Sequence, residues 1–190
     1  MERLKQRILA DGKIGEGDVL KVDSFLNHQI DVAFLCEIGK EFYKRFQGIH
    51  VDKILTIEAS GIGVAAITAQ YFEVPVVFAK KTKTNNIYSD VYTSQVYSYT
   101  HQRSYDIVVS KEFLHPGENV LIIDDFLAKG SALRALMKLI DSAGAHTVGA
   151  GIVIEKTYQG AGIDLRNEGL KVESLARIAK LSVKDGIEFL

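Results

Sequence analysis

VLIIDDFLAKGSA, Val120 to Ala132, is the stretch on which the reading of this chain turns. Its opening apolar run predicts a strand covered on both faces. That strand delivers two adjacent carboxylates, Asp124 and Asp125, to its C-terminal edge, where ligands of open α/β sheets bind. Neighbouring carboxylates repel unless something positive or hydrogen-donating lies between them, and sugar hydroxyls or a hydrated Mg2+ meet that need. The turn that follows, Ala128, Lys129, Gly130, Ser131 and Ala132, is built of small residues and opens directly into a helix. Backbone N–H groups there point outward at the positive end of the helix dipole, so a phosphate is the natural occupant. Taken singly, Asp125 starts a turn and Ser131 caps a helix. Together, a carboxylate pair followed by a phosphate nest favours a ribose 5-phosphate.

Outward from this stretch the same grammar repeats. Lys53–Glu58 (KILTIE), Val76–Lys80 (VVFAK) and Val148–Glu155 (VGAGIVIE) also read as buried strands, apolar at successive positions. Asp31 caps a helix whose apolar positions Val32, Leu35, Ile38, Phe42 and Phe46 recur at helical spacing. Gly63–Phe72 and Ser131–Ala143 are the next helices, the latter ending at Gly144. Strand alternating with helix predicts an α/β fold, a central parallel sheet flanked by helices with right-handed crossovers. Thr82–Gln102 breaks the pattern. It is rich in Thr, Ser, Asn and Tyr, shows no period that ties it to the sheet, and is compatible with a hairpin through Val91–Tyr99.

Composition excludes several classes. With 190 residues, 47% hydrophobic and 25% charged, the chain is expected to be one globular domain. Lys plus Arg total 23 against 24 Asp plus Glu, a net charge of −1, which lacks the basic excess that phosphate-backbone binding demands. No nucleic-acid partner is therefore expected. Tyr88, Tyr92, Tyr97, Tyr99 and Tyr105 fit a lid or a subunit contact better than base stacking. One cysteine, Cys36, has no partner for a disulfide, and no signal segment or uncharged apolar run of membrane-spanning length is present. A soluble cytoplasmic protein without a membrane partner is expected. The five histidines lack metal-ligand spacing.

A second strand-to-helix junction, Glu58-Ala59-Ser60-Gly61-Ile62-Gly63, contains Gly61-Ile62-Gly63-Val64-Ala65-Ala66, which formally matches the dinucleotide fingerprint. Lys80 and Lys81 stand where that fingerprint expects an acid, which leaves an NADP enzyme as a rival reading. The alternative is a second anion nest suited to a diphosphate, formed at Glu58, Ala59, Ser60 and Gly61, with Lys80 or Lys81 as counter-charge.

The Val120–Ala132 run resembles the signature of the type I phosphoribosyltransferase family. LKVDSFLNHQID (Leu20–Asp31), IEASGI (Ile57–Ile62), VPVVFAKK (Val74–Lys81), IVIEK (Ile152–Lys156) and VESLARI (Val172–Ile178) are similar to the bacterial, xanthine-using members of that family, so the resemblance covers nearly the whole chain. It implies transfer of a ribosyl 5-phosphate from phosphoribosyl diphosphate (PRPP) to N9 of a purine. Asp124 and Asp125 would hold the ribose hydroxyls, Ala128 to Ala132 the 5-phosphate, and Glu58 to Gly61 the diphosphate. Mg2+ would arrive bound to PRPP. A mobile loop over residues 82–102 would close the site, with Tyr92 a contact residue, because water would otherwise hydrolyse the donor. The resemblance also implies a homodimer, with Lys80 or Lys81 serving the neighbouring site. It further implies a hood, built from about residues 1–30 and 156–190, over the base. The chain departs from the family pattern at Lys129, where a small polar residue is more usual, and at Ala59, where Ser is frequent.

The resemblance places Leu20, Asn27 and Lys156 at the base. On the residues alone, Lys156 reads as an exposed strand-end lysine and Leu20 as core. Lysine only donates hydrogen bonds, so a buried contact from Lys156 favours 6-oxo purines over adenine. The Asn27 amide can donate to the 2-oxo group of xanthine, or flip and accept, which would favour guanine or hypoxanthine. Two alternatives therefore stand beside xanthine transfer: a hypoxanthine–guanine enzyme, and a non-catalytic regulator that senses PRPP. The residues before Lys53 show neither the recognition-helix pattern nor the basic cluster that a nucleic-acid-binding regulator needs.

Overall fold

The computed structural model of the chain describes residues 1–82, 90–98 and 103–190. Helix α1 (Glu2–Asp11) leads into a two-stranded ribbon, β1 (Lys13–Gly15) and β2 (Val19–Lys21), and a wide turn at Asp23–Asn27. Then follow α2 (Val32–Arg45), β3 (Lys53–Ile57), α3 (Ser60–Phe72), β4 (Val76–Thr82), β5 (Val91–Ser98) and β6 (Arg103–Ser110). The chain finishes with β7 (Asn119–Leu127), α4 (Ser131–Ser142), β8 (His146–Lys156), α5 (Ala161–Asn167), β9 (Val172–Ser182) and β10 (Gly186–Phe189).

Strands β3 to β10 form one sheet in the order β10-β9-β8-β7-β3-β4-β6-β5. Its centre is parallel: β4 and β7 flank β3, and β8 and β9 continue outward from β7. Both edges are antiparallel, β10 on β9 and the β5–β6 hairpin on β4, so the sheet is mixed. This corrects the reading of Thr82–Gln102 as lacking any strand period. Val91–Ser98 is the edge strand, paired residue for residue with Arg103–Ser110, as the hairpin alternative required. Its inward positions are Tyr92, Ser94 and Val96. A buried serine in the middle hides the alternation that would have revealed a strand. Much of the expected loop falls on residues 83–89 and 99–102, which lie outside the described residues. At the other edge β9 is a full member of the sheet, although it falls within the 156–190 span expected of the hood.

The sheet buries apolar residues on both faces, as the continuous apolar runs require. On β7, Leu121 and Ile123 join α1, α2 and α3 in one core, while Val120 and Ile122 join α4 and α5 in the other. Asp31 caps α2 through its side chain, accepting a hydrogen bond from the Phe34 amide at 3.1 Å. Leu35, Ile38, Phe42 and Phe46 are buried as the helical period predicts, whereas Val32, in the first turn of α2, is exposed. Phe42 lies over Gly151 of β8, where an added Cβ would sit 2.9 Å from its ring. Glycine at that point lets helix and sheet approach closely. Among the described residues no helix is long and apolar enough to cross a membrane.

Truncation of this contact tests the packing. Phe42→Ala is expected to destabilise the fold by about 3–5 kcal/mol, read from the denaturant midpoint at unchanged slope.

Candidate active site

Strand β7 runs past the acidic pair to Leu127, so Asp124 and Asp125 lie within the strand near its C-terminal edge. Asp124 is 4% exposed. Its Oδ1 accepts the Asp125 amide at 3.0 Å, and Asp125 Oδ1 accepts the Phe126 amide at 2.9 Å. Burial pushes the Asp124 carboxyl well above the ordinary carboxylate range, and the negative charge of Asp125 adds to the shift. The Asp125 amide and the charge of Lys81 oppose it without cancelling it.

Helix α3 starts at Ser60, three residues before the predicted Gly63. Ser60 and Gly61 therefore form its first turn, which abuts Asp124. A Cβ on Gly61 would lie 2.2 Å from Thr56 Oγ1 and 2.9 Å from Asp124 Oδ1. The Thr56 hydroxyl is itself buried and has no hydrogen-bond partner among the described residues. Ala59 precedes the helix, and Glu58 leaves β3 with its Oε1 accepting the Lys81 amide at 2.5 Å. The Glu58 carboxylate thus ties the β3–α3 junction to β4.

The two lysines part company. Lys81 holds its ammonium 5.5 Å from the centre of the Tyr105 ring, close enough for its charge to act on Asp124. Lys80 packs its ammonium over Phe78 at 5.8 Å and lines a separate apolar groove of about 470 Å3. The alternation of side chains along β4 separates them.

Gly130, at φ 78°, turns the chain into α4, and Ser131 is the first helical residue, so glycine rather than serine stands at the cap. Ala128, Lys129, Gly130, Ser131 and Ala132 all line a cavity of about 690 Å3. Lys156 reaches the same cavity from the end of β8. Burial pushes the Lys156 ammonium down, and the carboxylate of Asp18 pulls in the opposite direction.

Several expected neighbours are absent from this cavity. Leu20 is 5% exposed in the core beneath it, and Asn27 is exposed at the end of the turn after β2. Tyr92 packs into the α4 core with the Lys111 ammonium over its ring. Instead the cavity takes Tyr97 and Tyr105 from the hairpin, Phe126 from β7, and Asp18 and Tyr158. Tyr97 and Tyr105 were visible only as members of a tyrosine-rich segment, and nothing in the sequence marked Asp18. Among the described residues there is no group of three or more His, Cys, Asp or Glu able to hold a metal.

A doubly covered, mostly parallel sheet with an acidic pair and a helix-opening turn at its carboxyl edge defines an α/β protein of the kind that binds ligands at that edge. Residues 23–171 match the phosphoribosyl transferase domain family. The chain is 58% identical to a xanthine phosphoribosyltransferase of Alkaliphilus metalliredigens, over 96% of its own length and 90% of the relative's. It is also 58% identical to xanthine phosphoribosyltransferase 1 of Clostridium perfringens, over 95% and 96% of the two chains. The fold is shared with adenine phosphoribosyltransferase of Trypanosoma brucei, at TM-score 0.77, 19% identity and 96% and 83% coverage. The chain belongs to the phosphoribosyltransferase family, and within it to the group of xanthine phosphoribosyltransferases.

Because folding raises the affinity of the Asp124 carboxyl for its proton, the group contributes stability below its unfolded value of 3.8 and loses it as pH rises through the raised value. Asp124→Asn, which mimics the neutral form, is expected to raise the melting temperature at pH 7.5 while lowering turnover. The gain should shrink towards pH 4.

Proposed function

We propose that the protein transfers the ribosyl 5-phosphate of PRPP to N9 of xanthine, giving xanthosine 5′-monophosphate and diphosphate, a purine-salvage reaction. The observation that carries the reading is the shared cavity in which the Ala128–Ala132 nest at the start of α4 meets Lys156 from β8. The names of the relatives above support the choice of base.

In this reading the Ala128–Ala132 backbone binds the 5-phosphate at the positive end of α4. Asp124 and Asp125 accept the ribose hydroxyls and stabilise the positive charge that develops as the glycosidic bond breaks. The Glu58–Gly61 junction, opening α3, receives the departing diphosphate, with the Lys81 charge beside it. Lys156 donates to O6 of the base, a contact that the amino group of adenine cannot complete. Leu20 and Asn27, on the segment before α2, would complete the base site. Mg2+ would arrive with PRPP, held by the oxygens of the donor near Asp124 and Asp125. That ion would neutralise charge on the diphosphate.

A homodimer and a cytoplasmic location complete the reading. The groove lined by Val76, Phe78, Lys80, Val108 and Phe113 is apolar, and Phe78 and Phe113 are 37% and 52% exposed. A second copy covering it would bury that surface and bring Lys80 towards the neighbouring site. Cys36 is a free thiol, in keeping with a reducing compartment.

Diphosphate release from PRPP and Mg2+ with xanthine, guanine, hypoxanthine and adenine tests the reading, and xanthine is expected to be preferred. Turnover with guanine first would overturn the assignment of the base. Tight PRPP binding without turnover on any base would point to a sensor instead. Asp125→Asn is expected to lower kcat about 100-fold or more with an unchanged melting curve. Lys156→Ala should raise the KM for xanthine and leave that for PRPP unmoved.

A further inference from the structure

The residue before Lys156 is a carboxylate with no solvent exposure at all. Glu155 ends an apolar run on β8, where Leu or Ile would satisfy the core. Arg166 of α5 grips it with both arms of the guanidinium, Nη1 to Oε1 at 2.9 Å and Nη2 to Oε2 at 2.7 Å. Arg177 of β9 stands 3.6 Å from Oε2. Burial pushes the Glu155 carboxyl up, but hydrogen bonds from Arg166 and Ser174 and the arginine charges outweigh it and hold the group below the usual carboxylate range.

The surroundings are shaped for this group. A Cβ at Gly162 of α5 would fall 2.0 Å from Glu155 Oε1, so α5 comes this close only with glycine there. Arg166 also donates from Nε to the Val172 carbonyl at 3.1 Å and from Nη2 to Ser174 Oγ at 3.2 Å, which joins β8, α5 and β9 through one side chain. On the far side of Lys156, the buried Thr157 hydroxyl donates to the Ile178 carbonyl at 2.8 Å. Lys156 is therefore bracketed by two pinned residues. Successive strand side chains point to opposite sides, so fixing Glu155 towards α5 fixes the departure of Lys156 into the cavity.

A buried ion pair is a poor device for stability, since a well-packed apolar pair of similar volume does as well or better. Its advantage is geometric: a bidentate fork accepts one orientation. We infer that Glu155 and Arg166 act as a positioning clamp for Lys156, setting the reach of its ammonium to the base and hence the affinity for 6-oxo purines. The inference rests on the proposed role of Lys156 as the base donor.

The test compares xanthine and PRPP kinetics with thermal melting in four variants. Arg166→Met is expected to raise the KM for xanthine about tenfold while that for PRPP stays within about twofold. Glu155→Leu combined with Arg166→Leu should restore the melting temperature to the wild-type value or above, with the KM for xanthine still raised. A merely structural pair would restore both together, or move both KM values equally, and either result overturns the clamp. If the double variant does not fold, Arg166→Lys decides, because it keeps the charge and loses the fork; a wild-type KM for xanthine there removes the clamp. Lys156→Ala separates the levels. An unchanged KM for xanthine in that variant brings down the base-donor reading itself, whereas a raised one beside a silent Arg166→Met brings down only the clamp.

Discussion

Asp124 can be buried against the first turn of α3 only because position 61 carries no side chain. Thr56 of β3, Gly61 of α3 and Asp124 of β7 meet within a space that a single methyl group would overfill. From that approach follow the other features of the site. Because β3 and β7 are parallel neighbours, the helices that follow them, α3 and α4, both open at the same sheet edge. Their positive ends consequently converge on one region from two directions, with the acidic pair between them.

Two buried carboxylates, Asp124 and Glu155, have contrasting surroundings. Burial and Asp125 raise the Asp124 carboxyl, and Lys81, carried on the Tyr105 ring, is the cation whose charge reaches it. Glu155 is the opposite case, a buried carboxylate compensated by arginine through a bidentate contact. The first arrangement disfavours the ionised form of the carboxyl, and the second favours it and fixes its orientation through the guanidinium fork. Two carboxylates of similar burial thus do different work because their partners differ.

The parallel centre was legible because a strand covered on both faces must be apolar at successive positions, and β3, β7 and β8 are. Their predicted limits differ from the observed ones by at most two residues at either end. The Ala128–Ala132 turn was legible for a similar reason: mostly small residues between a strand and a helix mark a tight junction, and the structure opens α4 there. The hairpin was poorly legible, since Ser94 occupies an inward position of β5 and Tyr92, Tyr97 and Tyr105 look alike in sequence. Pairing with β6 puts Tyr92 and Tyr105 on one face of the hairpin and Tyr97 on the other, and of the three it is Tyr97 and Tyr105 that line the cavity.

Local rules, acting within a few residues, determined the strand–helix alternation, the carboxylates at a strand end and the turns that open the helices, since hydrophobic period and turn chemistry are properties of short segments. Membership of the phosphoribosyltransferase family was written in those same segments. Tertiary structure alone decided which of Lys80 and Lys81 joins Asp124, which tyrosines line the cavity, and that Asp18 faces Lys156. It alone decided that Glu155 meets Arg166 across α5. Those outcomes depend on which strands lie side by side and how closely helices approach them, and contacts between residues far apart in the chain leave no periodic mark on it.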